Sequence, residues 1–158
     1  MKPLVHVREA ALADAPVIAR LSIRESARHI RADCSAAGFR ELLATLAARA
    51  VETRLRDGDF RYWVAEDEAG VCGICALRET AHLYHLFVAS DRHGRGIGRR
   101  LWETARDDSL ARRPSLETFT VNASTFAVPV YARLGFRRDG GEWIRNGIRS
   151  WPMSLRVR

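Results

Sequence analysis

Residues 93–98 read His-Gly-Arg-Gly-Ile-Gly, between an apolar run, Leu83–Ala89, and a helical pattern, Ile97–Ala111. A strand, a glycine-rich turn and a helix start must therefore meet at one point of the fold. Glycines carry no Cβ, so their backbone N–H groups can close around an anion. The helix N-terminus adds about half a positive charge at the same place. Arg92, Arg95, Arg99 and Arg100 add cations around it. The segment reads as a cradle for a pyrophosphate group.

Two common phosphate-binding motifs are excluded. The P-loop requires a Gly-Lys-Ser/Thr ending, and the only lysine is Lys2. The dinucleotide fingerprint requires Gly-x-Gly-x-x-Gly early in a βαβ unit, whereas here the spacing is Gly-x-Gly-x-Gly, past the middle of 158 residues. The formal charge of +7 suits an anionic ligand. The basic residues are spread along the chain, almost all of them arginine, with no basic tail or zinc-finger spacing. Nucleic-acid binding as the main function is not supported. No apolar run approaches the length of a membrane span. The start, Met-Lys-Pro-Leu-Val-His-Val-Arg, lacks a signal-peptide core, so a cytoplasmic location is expected. Cys34, Cys72 and Cys75 read as free thiols. Cys72 and Cys75 lie in a strand-like run, where positions three apart face opposite sides, so core packing is expected rather than a redox or zinc site.

Leu4–Arg8 reads as an edge strand, and Asp14 with Pro16 as the start of a helix. Residues 24–35 are polar and weakly patterned, a loop over a site or a frayed helix. Phe39–Leu55 reads as one helix ended by Asp57-Gly58-Asp59. Phe60–Ala65, Val71–Arg78 and Ala81–Ala89 read as three consecutive strands, with a tight turn at Glu79-Thr80. Leu116–Asn122 is a further strand. Ser124 caps a short helix that Gly135 stops. Phe136–Arg138 and Ile148–Leu155 are the last strands, joined across Gly140-Gly141. The order β-α-α-β-β-β-α-β-α-β-β, with no linker or repeat, makes residues 1–158 one α+β domain.

A second motif lies about 30 residues past the cradle, Val121-Asn122-Ala123-Ser124-Thr125-Phe126-Ala127-Val128-Pro129-Val130-Tyr131-Ala132-Arg133-Leu134-Gly135-Phe136. With the cradle and this element order, the chain resembles the GNAT N-acetyltransferase family from about Leu4 to Leu155. The family signature Arg/Gln-x-x-Gly-x-Gly/Ala departs here only in its first position, His93, which mainly lends a backbone N–H. The resemblance implies an acyl-CoA N-acyltransferase fold: a mixed, mostly antiparallel sheet of six to seven strands flanked by four helices. It also implies acetyl-CoA as co-substrate without a metal, a primary amine of a small molecule or peptide as acceptor, and a homodimer. A CoA-binding sensor of the same fold, without turnover, is the alternative.

Under this resemblance His93, Gly94, Arg95, Gly96, Ile97 and Gly98, with Arg99, hold the CoA pyrophosphate. Backbone groups of Leu86, Phe87 and Val88 pair with the pantetheine arm, and one N–H polarises the thioester carbonyl. Tyr131 either protonates the leaving thiolate or is a core aromatic; Asn122 either bonds the CoA arm or caps the next helix. An amine of pKa near 10 must lose a proton before it attacks. His82 falls where some family members carry a catalytic glutamate, and an imidazole of pKa near 6.5 suits a base. His82 is otherwise an ordinary strand histidine, and His85, Glu79 or water are the other bases in reach. Strand alternation puts His82 and Tyr84 on one face and His85 on the other. Residues 24–38 and the Gly140–Gly147 turn are expected to line the acceptor pocket, and Glu25, Asp33 or Glu79 either recognise a cationic acceptor or are solvated surface charges.

Overall fold

Alternation of buried side chains builds a sheet covered on both faces. In β2 (Phe60–Asp67), Tyr62 and Val64 face one way, Trp63 and Ala65 the other, and all four are buried. The computed structural model describes residues 4–157, so the stretch read for a signal core begins outside them. The remaining strands are β1 (His6–Glu9), β3 (Gly70–Arg78), β4 (His82–Val88), β5 (Thr118–Ala123), β6 (Arg137–Arg138), β7 (Trp143–Arg145) and β8 (Ile148–Arg156). They run β1-β2-β3-β4-β5-β8-β6, with β7 paired to β8. All pairs are antiparallel except β4 with β5.

Five α-helices flank the sheet: α1 (Ala15–His29), α2 (Ala36–Leu46), α3 (Ala48–Arg56), α4 (Ile97–Arg112) and α5 (Val128–Arg133). One core lies under α4 and α5, where Ile97, Leu101, Trp102, Ala105 and Tyr131 meet Trp63, Cys75, Leu77, Leu83, Phe119 and Val121. The other lies under α1 and α3, where Ala15, Ile18, Leu21 and Val51 meet Tyr62, Val64, Ile74 and Ala76. A Cβ on Gly73 would sit 2.9 Å from Leu101 Cδ1, so this glycine lets α4 lie close on β3.

The architecture is the expected mixed α+β one, with differences in the count of elements. The sheet has eight strands, because Trp143–Arg145 pairs with Ile148–Ser150 across an Asn146-Gly147 turn that the sequence reading passed over. Both turn residues have positive φ, and Asn-Gly tolerates that conformation. There are five helices rather than four, because the expected helix Phe39–Leu55 breaks at Ala47, which turns extended at ψ 152°. Arg54 then donates to the Thr45 carbonyl at 2.7 Å, near the end of α2. Alanine is the best helix former, so tertiary packing overrides propensity here. The polar stretch after residue 24 continues α1 to His29; its Ser22, Glu25 and Ser26 are buried, which is why no apolar stripe marks it.

Two bulges overturn strand-phase expectations. In the β2–β3 ladder Ala65 pairs with Gly73 and Glu66 with Val71, leaving Cys72 over. Cys72 therefore joins Cys75 in the core under α4, rather than facing the opposite side. Both thiols are buried and free. In the β3–β4 ladder Ala76 pairs with His85 and Leu77 with Leu83, so Tyr84 is the extra residue. Tyr84 and His85 then share a face, and their rings stack at 4.2 Å.

Candidate active site

β4 and β5 pair only at His82–Thr120 and Leu83–Val121, then separate toward their C-terminal ends. The cleft between them is the candidate site. Its backbone character follows from the β3–β4 register. The Ala89 N–H donates to the Cys72 carbonyl at 2.8 Å, which makes 89/72 a hydrogen-bonded pair. Antiparallel pairs alternate, so Phe87 bonds to β3 while Leu86 and Val88 turn their backbone groups toward the cleft. Phe87 thus departs from the expectation that its backbone is free. The Val88 carbonyl is taken as well: the His93 ring donates from Nε2 to it at 2.8 Å. The Leu86 N–H and C=O and the Val88 N–H remain open to the cleft.

At the end of β4 the chain turns through Gly94 and Gly96, each at φ +77°. Gly96 is the N-cap of α4, without a side-chain cap, so the first N–H groups of the helix are unpaired by side chains. A Cβ at either glycine would meet nothing within 4 Å, leaving open space where an anion would sit. Three of the four arginines around the turn are engaged elsewhere. Arg92 pairs with Asp67 and Asp91 and holds the Asp67 carboxyl below the usual carboxylate range. Arg99 donates to the Arg133 carbonyl and faces Glu103; Arg100 donates to the Val5 carbonyl. Arg95 bonds to no described residue and is exposed. Glycines, helix terminus and Arg95 together fit a pyrophosphate. Two shallow depressions, of about 210 and 440 Å³, lie outside the cleft, the larger along Asp67, Asp91, Arg92 and Arg95.

Tyr131 is buried in the core under α5, with its ring edge-on to Phe136 at 5.7 Å. Burial and the nearby Cys75 hold its phenol above the ordinary range, so it stays protonated at neutral pH. Its hydroxyl bonds to no described residue and is not sealed off from solvent. Asn122 is exposed on β5 and caps nothing. The Ser124 hydroxyl accepts from the Ala127 N–H at 3.2 Å, a turn before α5, whose N-cap is Ala127.

The opposite face of the cleft carries His82, Tyr84, His85, Thr120 and Asn122. His82 Nδ1 lies 2.8 Å from Thr120 Oγ1. Burial and Arg78 push the His82 imidazole down to about 4; burial, Arg54 and His82 push His85 to about 3. His82 is therefore neutral at physiological pH but a weaker base than an unperturbed imidazole. Glu79 is exposed on the hairpin turn at φ 52°. The two segments expected to line the acceptor side do meet: Ser35 N–H donates to the Gly147 carbonyl at 2.8 Å, and a Cβ on Gly38 would lie 2.5 Å from that oxygen.

At the cleft mouth two of the candidate carboxylates, Glu25 and Asp33, are engaged by protein partners. Glu25 is buried, and Ser90 Oγ donates to its Oε1. His29 Nε2 lies 3.0 Å from Ser90 Oγ, and the His29 ring stacks on Phe126 at 3.9 Å. Asp33 accepts from the Thr125 N–H and hydroxyl at 2.8 and 2.7 Å, tying the turn after α1 to the turn after β5. The sequence offered the two acids, but not their partners Ser90, His29 and Thr125, which come from distant segments.

Among the described residues no group of three His, Cys, Asp or Glu is placed to hold a metal, and no helix is long and apolar enough to cross a membrane. The same fold recurs in solved structures. A GCN5-related N-acetyltransferase from Rhodopseudomonas palustris matches with TM-score 0.79 at 23% identity, over 99% of this chain and 97% of that one. PaiA N-acetyltransferase from Thermoplasma acidophilum, solved with coenzyme A, matches with TM-score 0.81 at 11% identity, over 98% and 99%. Spermidine N-acetyltransferase SpeG from Vibrio cholerae matches with TM-score 0.65 at 20% identity, over 96% and 93%. A UPF0039 protein of Schizosaccharomyces pombe is 26% identical over 80 residues, 51% of this chain and about half (53%) of that protein's length. A family profile described as an acetyltransferase (GNAT) domain matches residues 30–157, and the chain belongs to that family.

Proposed function

We propose that the protein transfers the acetyl group of acetyl-CoA to a primary amine, by direct attack in the cleft between β4 and β5. The observation that carries this reading is the end of β4–β5 pairing at Leu83–Val121, which leaves the Leu86 backbone groups and the Val88 N–H open above the glycine turn. When bound, acetyl-CoA supplies a thioester as acyl donor. The turn at Gly94–Gly98 and Arg95 hold its pyrophosphate, with the α4 N-terminus behind them. Arg99, already engaged, contributes positive potential rather than a direct bond. The Leu86 N–H, open to the cleft, donates in this reading to the carbonyl oxygen as negative charge grows on it. Tyr131, protonated and with its hydroxyl bonded to no described residue, gives its proton to the sulfur as the carbon–sulfur bond breaks.

The amine's proton leaves by way of His82 or a water beside it. With its acid form lowered to about 4, His82 accepts and relays a proton rather than storing one. Asn122, exposed on the same face, is assigned to bonding the bound arm. Three free thiols favour a reducing compartment, so we assign the cytoplasm, and a homodimer belongs to the same reading. The test is acetyl-CoA cleavage, followed as released thiol, across a panel of primary amines. Amine-dependent release supports the enzyme; tight CoA binding with no release for any amine favours the sensor.

A further inference from the structure

Arg54 is the only buried cation among the described residues, and no carboxylate lies within ion-pair distance of it. Its partners are neutral: Nε donates to the Tyr62 hydroxyl and one Nη to the Thr45 carbonyl, both at 2.7 Å. The other Nη bonds to no described residue and reaches accessible space. Burying a charge without a counter-charge is costly. By contrast, the one buried acid, Glu25, is engaged by Ser90 and lies near Arg24 and His29.

The register shows where this cation sits. Tyr62, Ala76 and His85 form one row across β2, β3 and β4. The small Ala76 leaves room above the sheet, and the Arg54 guanidinium spans it, touching Tyr62 on one side and lying 5.3 Å from the Tyr84 ring on the other. The bulge at Tyr84 turns His85 to this same face, stacked on Tyr84, with no bond from its ring nitrogens to any described residue. Arg78, also without an acid partner, lies 5.8 Å from the Tyr84 ring. Two cations without an acid partner and an imidazole without a bonded partner therefore gather around Tyr84 on the sheet face that also carries His82, and no carboxylate among the described residues pairs with them.

We propose that Arg54, helped by His85 and with Arg78 at the rim, binds a carboxylate of the acceptor. The acceptor is then an amino acid or another amine bearing a carboxylate, not a polyamine. This rests on the acetyl-transfer reading and names its substrate class. The free Nη and a His85 N–H supply one donor to each carboxylate oxygen. A polycationic acceptor would meet repulsion at the same place.

The test uses matched pairs: histidine with histamine, lysine with cadaverine, phenylalanine with phenethylamine. A charge-assisted hydrogen bond corresponds to roughly a ten- to hundredfold preference for the carboxylate member, expressed mainly in KM. Equal use of both members, or preference for the decarboxylated amine, overturns the proposal in the wild-type protein alone. Arg54→Gln is expected to collapse the ratio to near one, and Arg54→Lys to keep part of it. An unchanged ratio in a folded Arg54→Gln protein overturns the assignment to Arg54. If that variant does not fold, Arg54→Lys and Arg78→Gln carry the comparison. If no amine is acetylated, the acetyl-transfer reading fails separately. Thermal shifts with each pair in the presence of CoA then decide: a larger shift with the carboxylate member supports the site, and equal shifts overturn it.

Discussion

The two sides of the cleft are built differently. The side assigned above to the cofactor is made of backbone: glycines at positive φ, the first turn of a long helix, and strand N–H groups freed where two parallel strands part. The side assigned to the acceptor is made of side chains, among them the buried Glu25 and Arg54, each held by residues from distant segments. Backbone sites depend on a few residues in a row, whereas side-chain sites depend on packing among distant segments.

The sharpest break in that comparison is chemical. Tyr131→Phe removes a proton donor from the cofactor side and is expected to lower kcat by about 10²–10⁴-fold. CoA affinity should be unchanged, because the phenol acts only as thiolate charge develops. Calorimetric CoA binding beside steady-state rates checks this, and an unchanged kcat with chemistry rate-limiting returns Tyr131 to a packing role.

Next in size, Gly96→Glu puts a carboxylate where the pyrophosphate is assigned. Acetyl-CoA at 100–1,000 times Kd should stabilise the parent by about 2–4 kcal/mol, and the variant not at all. The side chain itself meets open space, so the cost of φ +77° to a non-glycine residue, about 1–2 kcal/mol, leaves a folded protein for the melting experiment.

On the acceptor side the expected effect is on pH dependence. His82 and His85, beside Arg78 and Arg54, have folded values of about 4 and about 3, below the ordinary 6.5. The unfolded chain therefore binds protons first as pH falls. The stability these groups confer is full above about 6.5 and is lost on acidification toward their folded values, by at most about 1.4 kcal/mol per pH unit for each. Melting between pH 7.5 and 5 should show this slope, and His85→Asn should flatten it. His82 should also add no acidic limb to kcat/KM between pH 6 and 8; a limb there that His82→Ala abolishes would contradict the lowered value.

The smallest effect tests whether the acceptor wall is held by local capping. Ser35 Oγ accepts from the Gly38 N–H at 3.0 Å at the start of α2. Ser35→Ala should cost about 1 kcal/mol by denaturant titration, with CoA affinity unaltered; a loss of CoA affinity would mean the two sides are coupled.

Local chemistry determined much of this protein from the sequence alone. Glycines at 94, 96 and 135 do sit at positive φ, the β2–β4 meander follows hydrophobic alternation, and the helix after the cradle begins at Ile97 as expected. Each of these is decided by residues within a few positions of one another. What tertiary structure decided has a longer reach. The bulges at Cys72 and Tyr84 shift strand phase by one residue, and that choice is made by ladder partners, not by the bulged residue's own type. Ala47 breaks a helix against its own propensity, and Arg54 of α3 then reaches the Thr45 carbonyl of α2. The surroundings of Arg54 and Glu25 depend on Tyr62, Thr45 and Ser90, up to 65 residues away. A charge becomes buried, or a histidine is held neutral, only when distant segments close over it, because desolvation is a property of the packed fold and not of the neighbouring sequence.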